Sequence, residues 1–230
     1  MKETIYTIPI NDAFDAECAC AVCFIERKLN DENTEHALGA SMMEPDFRLI
    51  SNQKGFCKAH YAALSKAGTA LPLSLVLQSH SQLQNMLISD IAVPTKKAHA
   101  KNAKKIIDIV LALKNSCAIC ERTEKQMETY IKNIIYLWKS EKDFKNKFQS
   151  KTGFCLPHFS DLLSCALDNM SVAAFAEFYD MITKMQVKSL NEMQNDITEF
   201  TKLFDYKNEQ QPSENVKTAV VRAIEKYSSI

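Results

Sequence analysis

Six cysteines and two histidines of this chain fall in a pattern that occurs twice. The first copy is Cys20-x2-Cys23 followed by Gly55-Phe56-Cys57-x2-His60. The second is Cys117-x2-Cys120 followed by Gly153-Phe154-Cys155-x2-His158. Between the CxxC and the third cysteine lie 33 residues in one copy and 34 in the other. Three thiols and one imidazole are the ligand set of a closed tetrahedral zinc site. Taken copy by copy, the pattern predicts two structural ions, one held by Cys20, Cys23, Cys57 and His60, the other by Cys117, Cys120, Cys155 and His158. A closed four-ligand site leaves no open position for water or substrate, so catalysis at the metal is not expected.

The two copies match beyond their ligands. Cys20 and Cys117 are 97 positions apart, and the same offset relates Asp46-Phe47 to Asp143-Phe144. One inserted residue later, Gly55-Phe56-Cys57 matches Gly153-Phe154-Cys155. This predicts an internal repeat: residues 14–92 as a first zinc-binding helical repeat and 111–204 as a second. Residues 93–110 are then a connecting helix, and 205–230 a polar loop and a C-terminal helix.

The repeats read as helices. Only 4 Gly and 6 Pro occur in 230 residues, so there are few breakers, and helix formers are plentiful. Met127, Tyr130, Ile131, Ile134, Ile135 and Trp138 recur at helical spacing and give one apolar face. The expected order in each copy is a helix from the CxxC (24–38, 121–138), a short helix at the Asp-Phe pair, and a break at Gly55 or Gly153. A new helix then starts at or after Cys57 or Cys155, and a long one follows (73–91, 172–204). A further helix is expected over 95–114, and Ser213 should cap a last helix over 214–227. The fold class is all-α: a helical bundle of two tandem zinc-stapled repeats with connecting and C-terminal helices.

Two cysteines two residues apart share one turn, and Cys57 and His60 lie on one helical face at i, i+3. A helical hairpin over each interval should then bring the second pair back to the first. Three thiolates and Zn²⁺ sum to about −1, which helix N-termini would offset. Lys54 and Lys58 could help at the first site and Lys151 at the second, where Leu156 and Pro157 suggest drier surroundings. Soft thiolates also suit an iron–sulfur cluster, which is the second choice of cofactor, and a metal-free disulfide or thiol switch is a third.

Several residues stand beside the pattern. Cys18 could join a C-x-C-x2-C cluster, with bystander packing the plainer expectation, and Cys165 reads as a core residue. His36, His80 and His99 lack ligand partners and read as surface or cap histidines. Glu17, Glu26, Glu121 and Glu124 could support the ligands from outside or simply favour helix N-termini. The basic run 96–105 contains no aromatic residue and reads as a solvated face. Tyr130, Tyr136, Trp138, Phe144, Phe148, Phe154 and Phe159 are expected in the core, with a ligand cavity as the alternative. No phosphate loop, no GxSxG and no acid–base pair is present.

The formal net charge is zero, which gives no electrostatic reason to expect nucleic acid or an anionic membrane as partner. The first residues carry no apolar stretch, and the expected compartment is the cytoplasm, where CxxC pairs bind metal more readily than they form disulfides.

The segments Cys20-Ala21-Val22-Cys23, Gly55-Phe56-Cys57-Lys58-Ala59-His60, Cys117-Ala118-Ile119-Cys120 and Gly153-Phe154-Cys155-Leu156-Pro157-His158 resemble the domain-of-unknown-function 6062 family. The resemblance covers most of the chain up to about Phe204 and implies a bacterial protein, with no activity attached. Ala21 and Ala118 stand where related sequences often have Pro, a departure that touches no ligand. The functional expectation is a zinc-binding interaction or scaffold module whose partner is a protein, with enzyme activity left open and not favoured. The alternatives are a thiol-based redox or metal sensor, and a small-ligand binder or enzyme with a pocket between the repeats.

Overall fold

Every regular element among the described residues of this computed structural model is a helix. The described residues are 7–39, 44–67, 70–92, 98–205 and 211–228. In chain order the helices are α1 (Thr7–Asp15), α2 (Ala21–Leu38), α3 (Pro45–Lys54), α4 (Lys58–Lys66), α5 (Ala70–Ala92) and α6 (His99–Lys114). They continue with α7 (Ala118–Ser140), α8 (Lys142–Gln149), α9 (Leu156–Asn169), α10 (Val172–Lys202), α11 (Glu214–Lys217) and α12 (Ala219–Ser228). No helix among the described residues is long and apolar enough to cross a membrane.

Local chemistry accounts for several helix starts. Pro45 opens α3, where its missing N–H costs nothing and its fixed φ suits the first turn. Ser171 caps α10 by accepting from the Ala174 N–H at 3.4 Å. Ser213 caps α11 in the same way through the Val216 N–H at 3.3 Å. The single C-terminal helix expected over 214–227 is interrupted at Thr218, so α11 and α12 are separate. The connecting helix begins at His99, and residues 93–97 lie outside the described part, with Lys96 and Lys97 of the basic run. The helix α1 was not anticipated from the sequence.

The chain forms two compact units, and their limits do not follow the order of the sequence copies. One unit takes Met1–Arg27 and Met127–Ile230, the other Lys28–Gln126.

The first unit packs around aromatic rings. Phe14 of α1 lies 4.9 Å from Phe144 and 5.5 Å from Phe148, centroid to centroid. Phe148 in turn meets Phe154 at 5.1 Å and Phe178 at 5.7 Å. Trp138 stands edge-on to Phe178 at 5.0 Å. Phe144, Phe148, Phe154 and Phe178 are fully buried, and offset or tilted rings at these spacings add to the gain from burial alone. Of the aromatics expected in the core, Tyr136 is exposed, at 64%, and Phe159 is half-buried. Phe14 and Phe178 supply rings absent from the expected set.

The second unit has a smaller core of Ala37, Leu38, Phe47, Phe56, Leu64 and Val76, joined by Cys117, Ala118 and Ile119. A polar node ties α2 to α7 there. Buried Asn33 donates to Thr123 Oγ1 at 3.0 Å and to Gln126 Oε1 at 2.6 Å, and it accepts from Arg122 Nε at 2.9 Å. A buried amide is tolerable when its groups are satisfied in this way, and such a node fixes the register of two helices. Helix α6 buries no side chain fully.

Candidate metal centre

Each of the eight candidate ligands sits at the start of a helix. Cys20 and Cys117 immediately precede α2 and α7, and Cys23 and Cys120 lie in the first turn. Cys57 and Cys155 are the N-cap residues of α4 and α9, with φ, ψ of −71°, 167° and −64°, 156°. His60 and His158 follow at the third helical position. Neither N-cap sulfur accepts a capping hydrogen bond from the backbone of its own helix. The positive end of each helix therefore faces the place where thiolate charge would gather.

The structure brings the eight residues into two sets, but not the expected ones. One set is Cys20, Cys23, Cys155 and His158; the other is Cys57, His60, Cys117 and Cys120. In each, the four candidate donor atoms lie within 4.8 Å of one another. The CxxC of one copy meets the Gly-Phe-Cys-x2-His of the other, which corrects the expectation of a site closed within each copy. The reason lies in helix lengths. At about 1.5 Å per residue, α2 runs about 27 Å, whereas α3, which must bring the chain back, covers about 15 Å. The same comparison gives about 35 Å for α7 and 12 Å for α8. In both copies the returning helix is shorter than the outgoing one, which favours a stop partway along it. His60 accordingly stops at the third turn of α2, where its Nε2 meets Asn30 Oδ1 at 2.8 Å.

The first set is closed. Cys20, Cys23, Cys155 and His158 are all buried, none above 4% exposure. Cys155 Sγ lies 3.9 Å from Cys20 Sγ and 3.4 Å from Cys23 Sγ. His158 Nδ1 lies 3.8, 3.2 and 3.1 Å from the sulfurs of Cys20, Cys23 and Cys155. The Cys23 N–H points at Cys20 Sγ at 3.5 Å. Behind the imidazole, Nε2 lies 3.5 Å from a Glu26 carboxylate oxygen. Hydrogen bonds from Cys155 and Cys23 push the Cys20 thiol far below its ordinary range. Burial opposes charge on His158, but the sulfurs of Cys155 and Cys20 outweigh it and push its pKa up to about 10. Of the carboxylates considered, Glu26 is the one beside a ligand here. The drier surroundings expected of Cys155 and His158 are found, with Cys20 and Cys23 as their companions.

A lysine that the sequence reading missed completes this set. Lys226 of α12 is buried at 6% exposure, the one buried lysine or arginine among the described residues. Its Nζ donates to Ser189 Oγ at 2.7 Å. Burial pushes its amine down, and the charges of Cys20, Cys155 and Cys23 pull it back up. The available signal was the spacing Ala219, Ala223, Lys226, one helical face that is buried throughout. Lys151, the cation expected here, instead donates to the Ala16 carbonyl at 2.8 Å.

The turn before Cys155 depends on Gly153. Its φ is +129°, and a Cβ there would stand 3.0 Å from Ser189 Cβ and 3.1 Å from both Gln186 Oε1 and Lys226 Nζ. Only glycine combines that backbone with that close approach. Buried Gln186 then clasps Phe154, accepting from its N–H at 3.0 Å and donating to its carbonyl at 2.9 Å.

The second set repeats the geometry with different surroundings. His60 Nδ1 lies 3.2, 3.3 and 3.4 Å from the sulfurs of Cys57, Cys117 and Cys120. Cys57 and Cys120 are 3.8 Å apart, and the Cys120 N–H points at Cys117 Sγ at 3.5 Å. Main chain ties the two halves together. Ala118 N–H donates to the Gly55 carbonyl at 3.0 Å, and Ser116 Oγ donates to the Lys54 carbonyl at 2.7 Å. His80 belongs to this turn as well, with Nδ1 2.8 Å from the Asn52 carbonyl and its ring against Gly55. Lys54 is paired with Glu121. Burial and the neighbouring Cys117 push the Cys120 thiol up.

Cys18 and Cys165 are half-buried and belong to neither set. Cys18 faces the Ala13 carbonyl at 3.9 Å, and Cys165 accepts from Asn169 Nδ2 at 3.6 Å.

A family model, described as a family of unknown function (DUF6062), matches residues 1–230. The chain belongs to that family. No curated protein and no solved structure matches it. Membership in DUF6062 therefore carries the resemblance read from the two motifs to the whole chain and assigns no activity.

Proposed function

We propose that this chain is a two-zinc helical protein acting as an interaction or scaffold module, built from two repeats that exchange half-sites. Cys20, Cys23, Cys155 and His158 hold one ion, and Cys57, His60, Cys117 and Cys120 hold the other. The observation that carries this reading is the edge length of the two donor sets. A tetrahedron with Zn–S bonds of about 2.3 Å and a Zn–N bond of about 2.0–2.1 Å has S···S edges of roughly 3.8 Å and S···N edges of roughly 3.5 Å. The S···S separations between helices are 3.4–3.9 Å, and the S···Nδ1 separations are 3.1–3.8 Å. These edges suit a single ion. An iron–sulfur cluster places its own iron and sulfide atoms between the thiolates and needs a wider ring of sulfurs.

The surroundings support a structural role. Asn30 and Glu26 lie behind the two imidazoles, the arrangement that orients a histidine ligand and fixes its tautomer. Lys226 offsets the −1 charge of about three thiolates and one Zn²⁺ at the buried site. Each ion joins two helix starts that are distant in sequence, work that suits a scaffold. The partner on this reading is a protein, and the compartment is the cytoplasm.

Metal analysis of the purified full chain tests the reading. Two zinc ions per chain are expected, and well under one would overturn it. The Lys226→Met variant keeps the apolar stem and removes the charge. It is expected to weaken one of the two zinc-binding steps by about 10–100-fold and leave the other unchanged, as read by competition with a chromogenic chelator.

A further inference from the structure

The two donor sets are alike in geometry and unlike in access. At the set of Cys20, Cys23, Cys155 and His158 every ligand is buried. At the other set, Cys57 and Cys120 are half-buried, and both residues line a cleft of about 440 Å³. Lys54, Lys114, Glu124 and Cys117 also line it. The cleft lies wholly within the unit Lys28–Gln126.

We propose that Cys57 and Cys120 form a thiol modification site, oxidised by small hydroperoxides that enter this cleft, while the buried set is spared. The proposal rests on the two-zinc reading above and adds a chemical distinction between the two sites. Zinc-bound cysteines are thiolates, and the thiolate is the nucleophile. One thiolate of the pair attacks the peroxide, its S–O bond forms as the O–O bond breaks, and the sulfur becomes a sulfenic acid while hydroxide (or alkoxide) departs. The second thiolate then attacks that sulfur, forms the S–S bond and expels hydroxide. Two electrons pass from the two sulfurs to the peroxide, and the two released bases are neutralised by two protons from the buffer.

Access favours this pair, since Cys117, the third thiol of the set, is buried. Cys57 and Cys120 are 3.8 Å apart, so disulfide formation needs a short approach and no exchange of helices. It leaves Cys117 and His60 as the only two ligands, too few for a closed site. The new bond would also keep α4 joined to α7, so this end of the unit stays together after the ion departs. A mixed pair such as Cys18 with a ligand lacks this arrangement, since Cys18 stands outside both sets.

The test uses the zinc-loaded full chain at neutral pH, with hydrogen peroxide as the probe. Zinc release is followed with a chromogenic chelator, and cysteine states are mapped by mass spectrometry after alkylation. The expected result is release of one zinc at least about tenfold faster than the second, because the buried thiolates react only after local opening. A Cys57–Cys120 disulfide should appear before any oxidation of Cys20, Cys23 or Cys155. Two zinc ions lost at one common rate, or first oxidation within the buried set, would overturn the proposal while leaving the two-zinc reading intact. A chain that carries no zinc before oxidation overturns both.

Discussion

Stripping both ions from the folded chain with a strong chelator is expected to unfold the unit Lys28–Gln126 and to leave the aromatic unit partly helical. Structural zinc contributes on the order of 10–16 kcal/mol of apparent binding energy in small zinc-finger peptides. A whole domain is stable by only about 5–15 kcal/mol. Neither unit can lose its ion without a large effect, but their reserves differ. The aromatic unit keeps Phe14, Phe144, Phe148, Phe154, Phe178 and Trp138 in mutual contact. The other unit has the smaller core, and three of its core members, Cys117, Ala118 and Ile119, are at or beside the ligands. Its α6 contributes no fully buried side chain. Hydrogen exchange on the metal-free chain should therefore show α3 to α6 losing protection first, with α9 and α10 holding longer. Equal protection in both units, or melting unchanged by metal removal, would contradict this.

The all-α class was legible from scarce breakers and from apolar residues at helical spacing, as in Met127 to Trp138. The starts of α4 and α9 were legible too, because Gly55 and Gly153 mark the turn before each. The ligand types were readable from CxxC and Gly-Phe-Cys-x2-His. Which pair meets which was not, since a repeat offset of 97 positions is compatible with closure inside a copy or across copies. The deciding quantity was the mismatch between a 23-residue α7 and an 8-residue α8, which needs helix ends to within a turn. Lys226 and Asn30 escaped for a related reason. Each lies far in sequence from, or several turns past, the motif it supports, and only packing brings it there. The drier surroundings of Cys155 and His158 were legible from Leu156 and Pro157, whereas the half-burial of Cys57 and Cys120 was not, because packing alone decides it.

Paired substitutions separate the exchange of half-sites from closure within each copy. Removing two ligands of one ion should cost one ion, and removing one ligand from each should cost both. Single serine substitutions cannot distinguish the schemes, since either one predicts the loss of one ion. The direct measurement is the zinc content of two double variants, Cys20→Ser/Cys155→Ser and Cys20→Ser/Cys57→Ser, after equilibration with a competing chelator. Exchange predicts one zinc per chain in the first and none in the second. None in the first and one in the second would contradict it.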